Sequence, residues 1–191
     1  MDILVQGGSI VVKKVIGVLL GFGVCLCISG CKLLEVTAEY VANDVKKAVT
    51  AIPEAFNEIK EDYQYLDELS AEIVRCFDER DAEGLKALFC TNELENNTEI
   101  DSQIETTFSM YEGKSQSFYT TDKSWEGGYR NGVYDEKYFT PRIRITTSDG
   151  KEYTISYALC TIYEYDKGKI GINALGLSDD WPNELAGIGL Y

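Results

Sequence analysis

Few side chains in this sequence can move a proton or attack a carbonyl at neutral pH. None of the 191 residues is histidine, so the usual proton shuttle and the commonest metal ligand are both missing. Most zinc sites and the Ser-His and Cys-His nucleophile pairs are excluded with it. What remains is a carboxylate beside a phenol. A buried Asp with a raised pKa next to a Tyr hydroxyl could carry acid-base chemistry, and the chain has 13 tyrosines. Asp122, Asp135, Asp149 and Asp166 all read as loop or turn residues, so no catalytic residue is singled out. Arg142 and Arg144 alternate on one strand face and could grip a carboxylate, although two such residues commonly form the solvent side of a sheet.

Motifs for bound groups are absent. "EGGYRNG" (residues 126–132) lacks the Gly-Lys-Ser/Thr of a phosphate-cradling loop. "SDDWPN" (178–183) lacks the spaced oxygens and the twelfth-position Glu of a calcium loop. No metal ligand set and no cofactor is expected. Binding fits the composition better, because Tyr and Trp join an apolar body to a polar tip and line pockets and interfaces. Tyr111, Tyr153 and Tyr157 are the candidates to face a pocket, with Trp125 in a loop at its mouth. Tyrosine also packs well in strands for purely structural reasons.

Charge narrows the partners. The chain has 32 acidic and 18 basic residues, for a net charge of -14. The first thirty residues hold only Asp2, Lys13 and Lys14 of these, so the acidity belongs to the remainder. Nucleic acid, whose phosphates are bound through Lys and Arg, is not an expected partner.

The amino-terminal stretch has its own logic. Lys13 and Lys14 precede an apolar run from Val15 to Ile28, then Ser29, Gly30 and Cys31. A basic region, an apolar region and small residues at a cut site describe a secretory signal. The run is short for a membrane-spanning helix, which needs roughly 20 residues. A signal normally begins close to its lysines, which places the expected start of translation near Val12. Ile28-Ser29-Gly30-Cys31 resembles the bacterial lipobox. That resemblance implies a diacylglycerol on the Cys31 thiol, cleavage just before it, and a protein held on the membrane facing outside the cytoplasm. Cys25 and Cys27 leave with the signal. Cys76, Cys90 and Cys160 lie among apolar neighbours and read as buried thiols, with a Cys76 to Cys90 bridge as the alternative.

The elements that must position these side chains follow from periodicity. Residues 1–30 are expected as signal, 31–52 as anchor and helical stalk, and 53–191 as one domain. Pro53 either interrupts the stalk or opens the next helix. Phe56, Ile59, Tyr63, Leu66, Leu69, Ile73 and Phe77 step by three or four, which predicts a long amphipathic helix. Its acidic face, Glu54 to Glu72, reads as solvated. Asp81 is placed as the N-cap of a second short helix using Leu85, Leu88 and Phe89. Thr98 and Asp101 suggest a capping box before a third helix through Ile100, Ile104, Phe108 and Tyr111, ended by Gly113.

Beyond Gly113 the period becomes two. "SQSFYTT" (115–121) reads as a strand and residues 124–134 as a glycine-rich connection or bent strand pair. Residues 138–177 read as three antiparallel strands joined by Ser-Asp-Gly and Asp-Lys-Gly turns. Tyr153, Ile155, Tyr157 and Leu159 share one face of the middle strand. Helices before sheet predict an α+β fold with three helices packed on a curved antiparallel sheet.

"CFDERDAEGLKALF" between the first two helices, followed by a strand meander, resembles the cystatin-like cone fold of nuclear transport factor 2 and ketosteroid isomerase. "IVRCFDERDAEGLKALFC", "IETTFSMYEGK" and "ITTSDGKEYTISY" are similar to a family of lipoproteins of Gram-positive anaerobes to which no activity is assigned. The resemblance implies a conical cavity used for small molecules or for dimerisation. The function expected is a lipid-anchored module at the cell envelope that binds a small molecule or an envelope protein, or forms a homodimer through the sheet. An isomerase- or hydratase-like enzyme using an Asp/Tyr pair in the cone is the alternative.

Overall fold

The computed structural model describes residues 57–130, 133–179 and 185–189. The signal, Cys31, the stalk and Pro53 lie outside the described residues. The chain divides into two compact units, Met1–Asp62 and Tyr63–Tyr191. Of the first, only the helical residues 57–62 are described; the core, the sheet and the candidate sites belong to the second.

Helix α1, residues 57–79, is the long helix that the three-to-four spacing demands. Leu66, Leu69, Ile73 and Phe77 are buried, each contributing about 1.5–3 kcal/mol. Ser70, Val74 and Cys76 are buried beside them, while Tyr63 is exposed. At its end Arg80 turns into the left-handed region, with φ 58°. Asp81 then caps α2, Ala82–Lys86, its Oδ1 accepting from the Gly84 amide at 2.9 Å. Helix α3, Thr91–Asn96, is an addition to the three helices expected. Only Glu93 of it is buried, so it carries no apolar period to read.

Helix α4 runs Ile100–Met110 and buries Ile100, Ile104, Thr107 and Phe108. Its N-cap is Glu99, with no side-chain capping bond. The Thr98/Asp101 capping box therefore does not form. Lys86 holds the Asp101 carboxylate at 2.6 Å, and the Asn97 side chain accepts from the Glu99 amide at 3.1 Å instead. The helix stops at Met110, with Tyr111 in an extended C-cap conformation. Gly113, at φ 84°, makes the turn that follows.

The strands are β1 Ser115–Thr121, β2 Trp125–Glu126, β3 Tyr129–Arg130, β4 Val133–Tyr134, β5 Glu136–Phe139, β6 Arg142–Thr147, β7 Glu152–Tyr163, β8 Gly171–Ser178 and β9 Ala186–Gly189. β3 and β4 form a separate hairpin; the other seven make one antiparallel sheet. β6 and β5 follow one another along one side of β7, and β8 covers its other side. β1 pairs with β6, β2 with β5, and β9 with β8. The first of the three expected strands is broken at Thr140 and Pro141, because proline has no N–H for the ladder; the Pro141 carbonyl still accepts from the Tyr157 amide. The glycine-rich β9 is also an addition, since three of its four residues, Ala186, Gly187 and Gly189, have little strand propensity.

Ile143, Ile145 and Thr147 of β6 are buried, alternating with half-buried Arg142, Arg144 and Thr146. Ile143 and Ile145 share one core with Leu66, Ile73 and Phe77 of α1, Phe108 of α4 and Ile155 and Leu159 of β7. The class is α+β, with helices and an open antiparallel sheet enclosing a common core. The segment between α2 and α3 is tied to β8 by two backbone bonds, Cys90 N to Ile172 O and Ile172 N to Leu88 O.

Candidate functional site

The C-terminal end of α4 gathers two of the expected site residues. Phe77 of α1 meets Phe108 and Tyr111 edge-on, with centroids 5.2 and 5.4 Å away, and Tyr111 meets Tyr153 of β7 at 5.0 Å. Edge-to-face geometry sets the positive rim of one ring against the negative face of the next. The Tyr111 hydroxyl donates to Asp78 Oδ1 at 3.0 Å. Asp78 also accepts from the Ser115 amide at 2.8 Å and, through Oδ2, from the Ser115 hydroxyl. One carboxylate thus joins the end of α1, the end of α4 and the start of β1. Burial, and then the Asp78 charge, push the Tyr111 phenol well above its ordinary pKa, so it stays a donor.

Arg80 closes the same corner. Its guanidinium donates to the carbonyl of Phe108, which also accepts from the Tyr111 amide, and to that of Tyr111, placing a cation at the negative end of α4. It lies 5.5 Å from the Tyr111 ring centroid and 5.8 Å from that of Phe108. The Glu112 amide donates to the Tyr153 hydroxyl at 3.1 Å. Over these groups lies an open depression of about 470 Å³, lined by Arg80, Glu105, Phe108, Tyr111 and Glu112 among others.

Tyr157 and Trp125 are elsewhere. Tyr157 is buried against α1; its hydroxyl is 3.0 Å from the Ser70 hydroxyl and donates to the Leu66 carbonyl at 3.4 Å. Burial pushes its pKa up to about 12. Trp125 lies on β2, its ring edge-on to Tyr134 at 4.9 Å. Tyr111 and Tyr153 therefore come together, but like Tyr157 they are buried in the core instead of facing an open pocket, and Trp125 belongs to a second cluster.

That second cluster surrounds Lys137 of β5. The side chain is buried, with Nζ 5.4 Å from the Trp125 ring, 5.3 Å from Tyr134 and 5.6 Å from Phe139. Asp135, two residues earlier, sits at the bend after β4 but is buried, with 7% of its surface exposed. It is thus outside the strands as expected, but buried. Its Oδ2 accepts from Tyr165 at 3.3 Å and faces Arg130 Nε at 3.4 Å. Its Oδ1 is the one buried side-chain nitrogen or oxygen without a hydrogen-bond partner among the described residues. The period-two spacing of Asp135, Lys137 and Phe139 is the signal that could have found it. Asp122, Asp149 and Asp166 do lie in turns: Asp122 has φ 55°, Asp149 follows β6, and Asp166 caps a 3-10 turn, Lys167–Lys169.

Arg142 pairs with Asp122 at 2.9 Å, and Arg144 donates to the Thr154 hydroxyl at 2.8 Å. On the acidic side of α1, Glu72 and Glu79, together with Asp81, are bound by Arg75. Among the described residues no group of three or more acidic or cysteine side chains could hold a metal ion. Cys76, Cys90 and Cys160 are buried free thiols. No described helix is long and apolar enough to cross a membrane. A family model described as a domain of unknown function, DUF5104, matches residues 72–180. No curated protein matches the chain.

Proposed function

The chain belongs to the DUF5104 family, and from that footing we propose that it is a lipid-anchored bacterial lipoprotein whose domain acts as a binding or interaction module outside the cytoplasm. In this reading residues 1–30 are the signal, Cys31 carries the acyl chains on a stalk of residues 31–52, and residues 53–191 form a cystatin-like domain. Two or three acyl chains on one cysteine would hold far better than a single chain.

The observation that carries the binding role is the depression at the end of α4. Arg80 brings a cation to it and Glu105 and Glu112 bring carboxylates, beside the buried Phe108 and Tyr111. A polar small molecule or a polar side chain of an envelope protein fits that pairing of charges. Hydrogen exchange of the full-length lipidated protein, with and without an envelope extract, tests this. Protection concentrated at residues 105–113 supports the site, and unchanged exchange there refutes it.

Homodimerisation through the sheet has its own support. β1 pairs only with β6 among the described strands, its sequence Ser115–Thr121 contains no charge, and Phe118 and Tyr119 are exposed. An uncharged open edge is where two acidic copies approach with least repulsion. The enzymatic alternative draws on the Asp78–Tyr111 pair. With three donors bound to its two oxygens, Asp78 is better suited to holding the corner together than to taking a proton from substrate.

A further inference from the structure

Three described strands of the large sheet have a single neighbour each: β1, β2 and β9. Two of them are short, Trp125–Glu126 and Ala186–Gly189, and brevity protects an open edge. β1 has seven residues, Ser115–Thr121, with no charge and no proline. Its register against β6 shifts at Gln116 and is regular from Ser117 to Thr121. Gln116, Ser117, Phe118 and Tyr119 are exposed in succession. Because successive strand residues point to opposite faces, both faces of this edge are bare, and the backbone groups on its outer side are open to another strand.

The flanking charges select that strand. Lys114 and Asp122 bracket β1, each four residues from Phe118, and both are exposed. A second copy running antiparallel about Phe118 sets Phe118 against Phe118 and brings Lys114 of each copy near Asp122 of the other. Parallel pairing in register would instead set lysine against lysine and aspartate against aspartate, which is destabilising. We propose that β1 pairs antiparallel with β1 of a second copy about a two-fold axis at Phe118, joining the two seven-stranded sheets edge to edge. A two-fold contact must be self-complementary, and the order of lysine, uncharged strand and aspartate supplies this in a chain of net charge -14. The Phe118 pair adds an aromatic contact across the strands. Asp122 keeps Arg142 at 2.9 Å, so Lys114 joins that ion pair without replacing it. The shift at Gln116 bends the start of β1, which makes Lys114 a neighbour of Asp122 and not its strict opposite. This inference rests on the homodimer reading above and goes past it by fixing the edge, the direction and the register.

The test uses the full-length protein, with sedimentation equilibrium for stoichiometry and copper-phenanthroline oxidation of introduced cysteines for geometry, each read against the parent. Directly opposed residues of antiparallel strands have Cα atoms about 4.5–5.5 Å apart, within disulfide reach. Phe118→Cys should therefore crosslink to its own copy. Lys114→Cys should not, because eight residues of strand, about 27 Å, separate the two Lys114 positions. Lys114→Glu sets like charges together and should weaken the dimer about threefold to tenfold; unchanged association there overturns the register. Phe118→Lys should leave a monomer at an unchanged melting temperature, and if that variant does not fold, the two cysteine variants decide. A dimer whose Phe118→Cys variant fails to crosslink, or whose Lys114→Cys variant crosslinks equally well, overturns the β1 pairing and leaves dimerisation to another surface. A protein that stays monomeric at millimolar concentration overturns both readings.

Discussion

Asp78 accepts a hydrogen bond from the hydroxyl of Tyr111, 33 residues away, at 3.0 Å. Because the same carboxylate receives the Ser115 amide and hydroxyl, it fastens three elements at one point. Tyr111→Phe removes a single donor and is expected to cost about 1 kcal/mol. Asp78→Ala strands a buried phenol and frees Ser115, and is expected to cost roughly 2–3 kcal/mol. Urea unfolding of both variants measures this; equal costs would show that Asp78 is not the shared anchor.

Arg80 combines a left-handed backbone with a guanidinium on the α4 carbonyls. Arg80→Ala loses the second and keeps the strain of the first. Arg80→Gly loses the same bonds but relaxes the backbone. The glycine variant should therefore be the more stable of the two by about 1 kcal/mol. Thermal unfolding compares them, and an alanine variant as stable as the glycine one contradicts the assignment of strain.

Tyr157 makes the fold sensitive to alkali. Its pKa is raised by burial to about 12 from an ordinary value of 10.0. A group whose folded pKa is raised stabilises fully below its unfolded pKa, and that contribution is lost as pH climbs from about 10 through the folded value near 12. Tyr157→Phe should flatten the loss of stability over that window. Followed by phenolate absorbance and circular dichroism together, an unaltered alkaline profile in the variant would refute this.

At the acid end the direction reverses. Hydrogen bonds from Arg75 hold Asp81 and Glu72 below their ordinary values, with the Gly84 amide also lowering Asp81. Their contribution is present above the ordinary carboxylate range and fades as pH falls through the depressed values. Both are half-exposed, so Arg75→Gln is expected to reduce the salt dependence of acid unfolding with little effect at neutral pH. A large loss of stability at pH 7 would show that the cluster does more than this.

The three described cysteines are buried thiols, and burial raises Cys76 to about 11. A thiol reagent at pH 8 should leave them unmodified in the folded protein and modify all three after denaturation. Rapid reaction of Cys76 in the native state would contradict its placement in the core.

Membrane attachment tests the proposed anchor. Cys31→Ala should abolish labelling by radioactive palmitate and leave the protein unprocessed or in the soluble fraction. Unchanged labelling and processing would remove Cys31 from that role.

The legible parts were those whose physics is local. The spacing of Leu66, Leu69, Ile73 and Phe77 requires a helix because one face must leave water. The alternation of Tyr153, Ile155, Tyr157 and Leu159 requires a strand for the same reason, and Asp81 caps α2 through an amide only three residues away. Local signals also misled where a distant partner competed: Asp101 went to Lys86, 15 residues away, instead of to a capping box. The period-two spacing of Asp135, Lys137 and Phe139 hints at its burial, but the partner of its carboxylate was beyond local reading, because Tyr165 arrives from 30 residues further along. The role of Asp78 likewise exists only once α1, α4 and β1 converge. Sequence alone determined the class of fold and which faces are apolar, since those follow from side-chain period and solvation. Tertiary structure alone decided which tyrosines meet, which fill the core and which carboxylate is buried, since contact between distant segments is set by packing the whole chain at once.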